Sequence, residues 1–449
     1  MTAITTLIDR PAAAVSGAEL CVPLIDGRTS GYVNFDYAAS APALAAVTDH
    51  LAALLPHYAS VHRGAGYASQ VSTASYEQSR RVIGEFLSAR ADDAVVFTRN
   101  TTDALNLLAH CTPGEVVHLD IEHHANFLPW QQCGARVVAA TPTIAGTLEA
   151  IEAELACAPA ALLAVTGASN VTGEVLPIAE LAAIAHRHGA RILVDAAQLA
   201  PHRRIDIEAL GIDYLALSGH KLYAPFGAGV LIGRADWLDA AEPYLAGGGA
   251  VREVSVFETE WATGPARHEA GTPNVLGVAA IAAACTAIAT LDEDTVARHE
   301  ESLTRLLRSG LADLDGVDVL RIWAEDSDDT VGIVAFTVEG FEPGEVAAYL
   351  SAEHGIGVRD GRFCAHPLLA KLGHGAGAVR ASIGLGSTAA DVNRLILAIE
   401  ALRTCGPAWG YAKTEGHWAP SPETRPLPDF LGLGQLGDLA TPGCGSFAA

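Results

Sequence analysis

Lysine is scarce in this chain. Only three lysines, Lys221, Lys371 and Lys413, occur among 449 residues, and arginine supplies the remaining positive charge. Arginine stays protonated and is a useless amine nucleophile, whereas a desolvated lysine can lose its proton and form a Schiff base. Lys221 closely follows the apolar run Tyr214–Ser218 and stands beside His220. These neighbours favour a functional lysine over an ordinary surface lysine at the end of a strand.

Clustered positive charge and long apolar runs are also missing. The chain has 52 acidic and 28 basic residues, a formal net charge of −24 and no basic run, which argues against binding to nucleic acids or anionic membranes. The apolar stretch Ala279–Ala289 is too short to span a membrane. Met1–Arg10 lacks the basic and apolar regions of a signal peptide. We therefore expect no nucleic-acid partner and no membrane partner.

Closely spaced cysteine pairs are absent too. The eight cysteines contain no CxxC pair and are scattered as Cys21, Cys111, Cys133, Cys157, Cys285, Cys364, Cys405 and Cys444. This usage is typical of a reduced cytoplasmic protein without a disulfide framework. Glu122, His123 and His124 form a cluster that could suggest a metal, but no second cluster supplies further ligands at a sensible spacing. We expect a cytoplasmic location and no metal site.

Short apolar runs alternate with alanine- and leucine-rich segments along the first two thirds of the chain. The predicted strands are Ala94–Thr98, Glu115–Leu119, Arg136–Thr141, Ala161–Thr166, Arg191–Val194, Tyr214–Ser218 and Ala228–Ile232. The predicted helices are Thr102–His110, Ile178–His188 and Val275–Leu291. This order predicts an α/β fold with a mostly parallel seven-stranded sheet and helices on both faces.

The pattern changes near residue 300. Helices near Glu300–Leu314, Gly344–Glu353 and Ala389–Arg403 alternate with strands at Val317–Ile322 and Gly332–Val338, which predicts a smaller α+β domain. The proline- and glycine-rich stretch after residue 405 predicts an irregular tail. We therefore divide the chain into an N-terminal segment (1–30), a large domain (31–295), a small domain (296–404) and a tail (405–449).

Several polar residues lie where predicted strands end. Asp195 closes one strand, Ser218 and Lys221 follow the next, and Thr101 and Thr102 open a helix. Ligands of parallel sheets bind outside the carboxyl ends of the strands, and a helix N-terminus binds phosphate. An amine for a Schiff base, a carboxylate for a pyridinium nitrogen and a phosphate site together meet the needs of pyridoxal 5'-phosphate (PLP).

Motifs along residues 30 to 404 carry a family resemblance. They are Asn34–Pro42, Val61–Gly64, Arg99–Asp103, Glu122–Asn126 with Pro129 and Trp130, Ser169–Gly173, Val194–Gln198, Ser218–Lys221, Gly247–Gly249, Arg267–Asn274, Arg359–Cys364 and Val379–Ser382. The chain resembles the fold-type I PLP enzymes of the aminotransferase class V family. Within that family it is most similar to the group II cysteine desulfurases and selenocysteine lyases.

The resemblance implies a role for each matching residue. Lys221 would bind PLP covalently and transfer the α-proton, Asp195 would pair with the pyridinium nitrogen, and His123 would stack on the ring. Gln198 would contact the ring hydroxyl, while Thr101, Thr102, Ser218 and His220 would surround the phosphate. Thr272 would reach the phosphate of a second subunit, which implies a homodimer with shared active sites. Asn170 and Arg380 would bind the carboxylate of a small amino acid substrate, and His62 and Arg359 are further candidates for substrate binding.

Cys364 decides between possible reactions. In the resembled desulfurases a loop cysteine attacks the substrate sulfur, which gives an enzyme persulfide and alanine and allows transfer to a sulfur-acceptor protein. The sequence departs from the family at Asn100, where glycine is usual, and at Arg362 and Phe363, which replace a His-His pair. A C–S lyase, epimerase or aminotransferase that does not use Cys364 is therefore the alternative. A catalytically silent scaffold is the third hypothesis, and absence of cofactor absorbance would favour it.

Overall fold

A computed structural model of the protein describes residues 7–439. Its strands, in chain order, are β1 (Cys21–Pro23), β2 (Thr29–Gly31), β3 (Val33–Asn34), β4 (Asp93–Thr98), β5 (Val116–Leu119), β6 (Ala135–Val138), β7 (Leu162–Thr166), β8 (Arg191–Asp195), β9 (Tyr214–Ser218), β10 (Gly229–Arg234), β11 (Val251–Val254), β12 (Thr259–Trp261), β13 (Val317–Val319), β14 (Ile333–Val338), β15 (Ile356–Gly357), β16 (Arg359–Gly361), β17 (Ala378–Ser382), β18 (Tyr411–Thr414) and β19 (His417–Pro420).

The α-helices lie between and after these strands. They are α1 (Ala45–Leu54), α2 (Tyr67–Phe86), α3 (Thr101–Cys111), α4 (Ile144–Cys157), α5 (Ile178–Arg187), α6 (Ala235–Ala240), α7 (Val275–Ala289), α8 (Glu293–Ala312), α9 (Pro343–His354), α10 (His366–Lys371) and α11 (Ala389–Cys405).

Seven strands form the main sheet in the order β4-β10-β9-β8-β7-β5-β6. Strand β10 runs antiparallel to both of its neighbours, and the other pairings are parallel. Both faces are covered, because Leu163 packs in one apolar cluster with α5 and α7, while the adjacent Leu162 packs in another with α3. Successive side chains of a strand point to opposite faces, so continuous apolar runs are what such a sheet needs. The predicted mostly parallel α/β fold is confirmed.

A second, antiparallel sheet has the order β13-β14-β17-β16. It packs with α8, α9 and α11 around a separate apolar cluster that includes Leu307, Phe336 and Leu395. Helix α8 begins at Glu293, earlier than the predicted start near Glu300, because the side chain of Asp292 accepts a hydrogen bond from Thr295 N at 2.9 Å and caps the helix. This sheet matters for the predicted site because β16 carries Arg359 and β17 carries Arg380.

The tail contains regular structure that the sequence analysis did not predict. Strands β18 and β19 form an antiparallel hairpin, in which Thr414 pairs with His417. Glu415 and Gly416 form the two-residue turn with φ values of 50° and 87°. Positive φ at both turn positions matches the twist of a tight hairpin, and glycine tolerates such a backbone. Part of the predicted irregular tail is therefore a hairpin.

The remaining sequence predictions concern cysteines, metals and membranes. Seven cysteines lie within the described part of the chain and form no disulfide bond there, whereas Cys444 lies outside it. Across residues 7–439 no group of three or more His, Cys, Asp and Glu side chains could hold a metal ion. In the same residues no single helix is long and apolar enough to span a membrane. Helices α7 and α8 together have the length and composition of a membrane span, but they are bent by 94° relative to each other.

Candidate active site

A cavity of about 790 Å³ lies at the carboxyl ends of the central parallel strands and extends to β16 and β17. Twelve of the fourteen predicted site residues line it, and these are Thr101, Thr102, His123, Asn170, Asp195, Gln198, Ser218, His220, Lys221, Arg359, Cys364 and Arg380. The fold thus brings together side chains that are up to 279 positions apart in sequence, from Thr101 to Arg380. Its size is within the range of small-molecule sites.

Lys221 keeps part of its surface accessible in the cavity, yet burial lowers the pKa of its amine to about 8. The negative charge of Asp195 opposes this shift, and the positive charge of Arg380 adds to it. Asp195 itself is buried, which raises the pKa of its carboxyl group, while a hydrogen bond from Ala197 N at 3.0 Å and the charge of Lys221 lower it. A lysine with a pKa near 8 supplies the neutral amine that nucleophilic chemistry requires.

The start of helix α3 forms one end of the cavity. Asn100 caps this helix, because its Oδ1 accepts a hydrogen bond from Asp103 N at 2.9 Å. Thr101 N donates to Ser218 Oγ at 2.7 Å, which ties the helix start to the end of β9. A side chain at Gly229 would come within 2.6 Å of the Asn100 backbone, so this close approach requires glycine. Asn100 therefore fits the loop without the glycine that the resembled family usually has, and the helix N-terminus suits an anion.

His123 and Gln198 border the same space. His123 Nδ1 accepts a hydrogen bond from Ala125 N at 3.0 Å, and burial, reinforced by the charge of Lys221, lowers the pKa of its imidazole to about 3. The ring is therefore neutral and carries its proton on Nε2. Gln198 Nε2 donates to Ala38 O at 2.8 Å, but its buried Oε1 has no partner within the described part of the chain. Such an oxygen could accept a hydrogen bond from a ligand hydroxyl.

Arg380 on β17 is 3% exposed and lies on the side of the cavity formed by the second sheet. Its Nη1 donates to Asn170 O at 2.8 Å, and its Nη2 lies 3.4 Å from Asp36 Oδ1. Its buried Nε has no partner among residues 7–439. The Phe363 ring stacks 5.1 Å from the guanidinium carbon. Burial lowers the pKa of Arg380 to about 10, so it remains charged at neutral pH and is suited to bind a carboxylate.

The loop after β16 positions Cys364. Phe363 and Cys364 have φ values of 52° and 51°, an uncommon backbone conformation for residues other than glycine. The loop is held by hydrogen bonds from Asn170 Nδ2 to Phe363 O and from His124 N to Cys364 O, both 2.8 Å. Cys364 is partly exposed, and it interacts electrostatically with both Lys221 and Arg380. Its thiol is thus placed in the same cavity as the amine and the arginine.

Two predicted residues lie elsewhere. His62 is exposed and its Nε2 lies 3.0 Å from Glu77 Oε1, outside the cavity lining. Thr272 is exposed and does not line the cavity of this single chain either. Conversely, sequence analysis missed the outer lining, which consists of Glu342–Gly344 and the hairpin residues Lys413 and Glu415–Trp418. A Glu-Gly pair is not one of the usual two-residue hairpin turns, so the sequence offered no clear signal for this hairpin.

The family model for Aminotransferase class-V matches residues 33–395. The chain belongs to the aminotransferase class-V family. It is 37% identical over 390 residues to a cysteine desulfurase of Klebsiella pneumoniae strain 342, covering 84% of this chain and 94% of that protein. A probable cysteine desulfurase of Halalkalibacterium halodurans is 36% identical over 394 residues, and the match covers 84% of this chain and 95% of that protein.

Solved structures agree in fold. The apo structure of a cysteine desulfurase from Thermococcus onnurineus NA1 superposes with a TM-score of 0.76 at 34% identity, covering 83% of this chain and 94% of that one. The crystal structure of an Escherichia coli cysteine desulfurase in an S-sulfonic acid form superposes with a TM-score of 0.73 at 35% identity. This match covers 82% of this chain and 94% of that one.

Membership of this family makes the protein PLP-dependent, and the cavity fits that cofactor. The fit rests on the buried Asp195 carboxyl group, the partnerless Gln198 Oε1, the low-pKa amine of Lys221 and the N-terminus of α3. These groups match a ring nitrogen, a ring hydroxyl, an aldehyde and a phosphate, respectively.

Proposed function

We propose that the protein is a cysteine desulfurase, which removes sulfur from L-cysteine, or selenium from selenocysteine, and releases alanine. The observation that carries this proposal is the position of Cys364 in the same cavity as Lys221 and Arg380. A nucleophilic thiol beside an amine and a carboxylate-binding arginine suits sulfur abstraction from an amino acid. The names of the similar proteins from Klebsiella and Halalkalibacterium support the same activity.

The cofactor would be held by the groups that fit it. Lys221 would supply the amine for covalent attachment, Asp195 would pair with the ring nitrogen, and Thr101, Thr102, Ser218 and His220, which line the same cavity, would hold the phosphate. PLP, when bound, withdraws electrons from the α-carbon of an amino acid and so makes its bonds easier to break. His123 would contact the ring as a neutral imidazole, because burial and the charge of Lys221 keep its pKa low.

The remaining steps belong to side chains of the chain itself. Arg380 and Asn170 orient the substrate carboxylate, and the Lys221 amine moves the α-proton. The Cys364 thiolate then attacks the substrate sulfur, so that an S–S bond forms while the C–S bond breaks and its electron pair stays with carbon, which is protonated to alanine. An acceptor thiol then attacks the outer sulfur of the persulfide, which becomes a new persulfide on the acceptor while the Cys364 thiol is restored; a second thiol releases this sulfur as sulfide and forms a disulfide with the acceptor.

We propose further that the enzyme acts as a cytoplasmic homodimer with shared active sites. Thr272 lies outside the cavity of its own chain and is exposed, which suits a residue that serves the site of a second copy. Val256 and Phe257, in the loop between β11 and β12, are 90% and 93% exposed and would be covered in such an assembly. The seven cysteines between residues 7 and 439 form no disulfide bond, which supports a reducing compartment.

Sulfide and alanine formation from L-cysteine and a thiol reductant tests the proposal. We expect both products from the wild type and from Cys157→Ala, an exposed cysteine outside the cavity, but neither from Cys364→Ala. Equal activity in all three would instead establish a lyase that does not use Cys364. A PLP-loaded wild type without either product would reject cysteine as the substrate.

A further inference from the structure

The tail hairpin β18–β19 is fixed to helix α9 of the small domain. The Glu353 carboxylate accepts hydrogen bonds from Ala408 N and Trp409 N, each at 3.1 Å, and from Tyr411 Oη at 3.0 Å. On the other side of the hairpin, Arg425 Nη1 donates to Ser351 Oγ at 3.1 Å. The tail is therefore anchored before and after the hairpin, and the hairpin occupies a defined place.

The end of the hairpin that reaches the cavity has its own anchor at Glu342. The Oε2 atom of this residue lies 2.5 Å from Lys413 Nζ and accepts a hydrogen bond from Trp418 Nε1 at 3.1 Å. Trp418 also packs against Gly344, where a β-carbon would lie 3.1 Å from Trp418 Cδ1. A side chain at position 344 would therefore require Trp418 to shift by a few tenths of an ångström.

This hairpin forms one wall of the cavity that holds Cys364. Lys413 and Glu415–Trp418 line the cavity together with Arg362, an exposed residue on the cysteine loop. The family model ends at residue 395, before the hairpin begins. The wall is thus added to the matched fold by a segment of this chain, and it borders the same cavity as the thiol that an acceptor must reach.

We propose that the hairpin Tyr411–Pro420 determines specificity by size, so that small thiols reach Cys364 and bulky or protein-borne thiols are kept away. The consequence for sulfur transfer rests on the proposed function, but the accessibility of Cys364 does not. A small reagent reaches Cys364 past the hairpin, whereas a large reagent reaches it only when the contacts of Lys413 and Trp418 with Glu342 break. The acceptor that this geometry suits is a low-molecular-weight thiol.

Alkylation of Cys364 tests the wall without any turnover. The holoenzyme is treated with iodoacetamide or with fluorescein maleimide, and peptide mass spectrometry follows labelling of Cys364 relative to exposed Cys157 in the same molecule. The relative rate with the bulky reagent should rise about tenfold in Glu342→Ala/Trp418→Ala, since the variant loses an ion pair and a charge-assisted hydrogen bond. The rate with iodoacetamide should change little.

Trp409→Ala is the matched control, because Trp409 belongs to the same tail but does not line the cavity. It should keep the wild-type ratio of bulky to small labelling. An unchanged ratio in Glu342→Ala/Trp418→Ala would overturn the proposal, as would an equal rise in Trp409→Ala. If Cys364→Ala still produced sulfide, the proposed function would fail. The labelling ratio would still test whether the hairpin restricts access to Cys364.

Discussion

Replacing Arg380 provides a quantitative test of substrate binding. The guanidinium is 3% exposed, stays charged because its pKa of about 10 is above neutral pH, and has an Nε without a partner in the described residues. We expect it to hold the substrate carboxylate through two charge-assisted hydrogen bonds. At about 1.5 kcal/mol each, these give about 3 kcal/mol, or about two powers of ten in kcat/KM. Arg380→Ala should lose that factor.

Most of this loss should be in KM. Interactions that hold the carboxylate equally in the ground state and the transition state affect KM and leave kcat nearly unchanged. Arg380→Lys keeps the positive charge but loses the planar fork, so its KM should lie between those of the wild type and Arg380→Ala. The assay is the initial rate of alanine formation over a range of cysteine concentrations, with cofactor content and melting temperature measured in parallel.

Arg362→Ala is the matched control for this experiment. Arg362 lines the same cavity but is exposed, and its substitution should change KM by less than about threefold, as is typical of exposed charges. An Arg380→Ala enzyme that is folded and cofactor-loaded but has an unchanged KM would refute the assignment. Equal losses in both arginine variants would show that the general positive charge of the cavity, rather than a specific fork, binds the substrate.

Three further predictions concern the cofactor side and the cysteine loop. Because the pKa of Lys221 is lowered to about 8, the rate of PLP uptake by the apoprotein should rise with pH and level off above about pH 8; a rate that still rises near pH 10 would indicate an ordinary lysine. Asp195→Asn should bind PLP but reduce kcat by at least about 100-fold, since the ring nitrogen loses its carboxylate; near-normal turnover would reject that role. Phe363→Ala should raise KM about fivefold, because Arg380 loses a stacking partner with a contribution of about 1 kcal/mol. Phe363→His, the residue of the resembled family, should keep KM within about twofold, and a large effect of both variants would point to the loop backbone instead.

The main sheet could be predicted because its strands are continuous apolar runs. Tyr214–Ser218 matches its prediction at both ends, and Arg191–Asp195 extends its prediction by one residue. Helix α2, Tyr67–Phe86, was not predicted, because its buried face uses Ser69, Ser72 and Ser79 in place of large apolar residues. Periodicity in apolar residues is the primary signal for a helix, and serine weakens it. The division of the chain into domains stays a prediction.

The inner part of the site could be inferred from motifs, whereas its outer part could not. The residues from Thr101 to Lys221 stand at strand ends and helix starts, where the position of a side chain follows from the topology. The outer lining depends on a tail hairpin that meets Glu342 across more than 70 positions of sequence. Such a contact depends on packing between distant segments. The local sequence of a short polar hairpin does not predict which distant segment it will contact.

The scarcity of lysine has a practical consequence for chemical labelling. Of the three lysines, Lys221 is in the cavity, Lys371 is paired with Asp120 and has a side chain 30% exposed, and Lys413 has a side chain 43% exposed. An amine-reactive fluorophore should therefore attach to few positions, and Lys413 is the most accessible of these lysines. Because Lys413 lies on the hairpin and is paired with Glu342, a dye there would remove this ion pair and report on the hairpin side of the cavity.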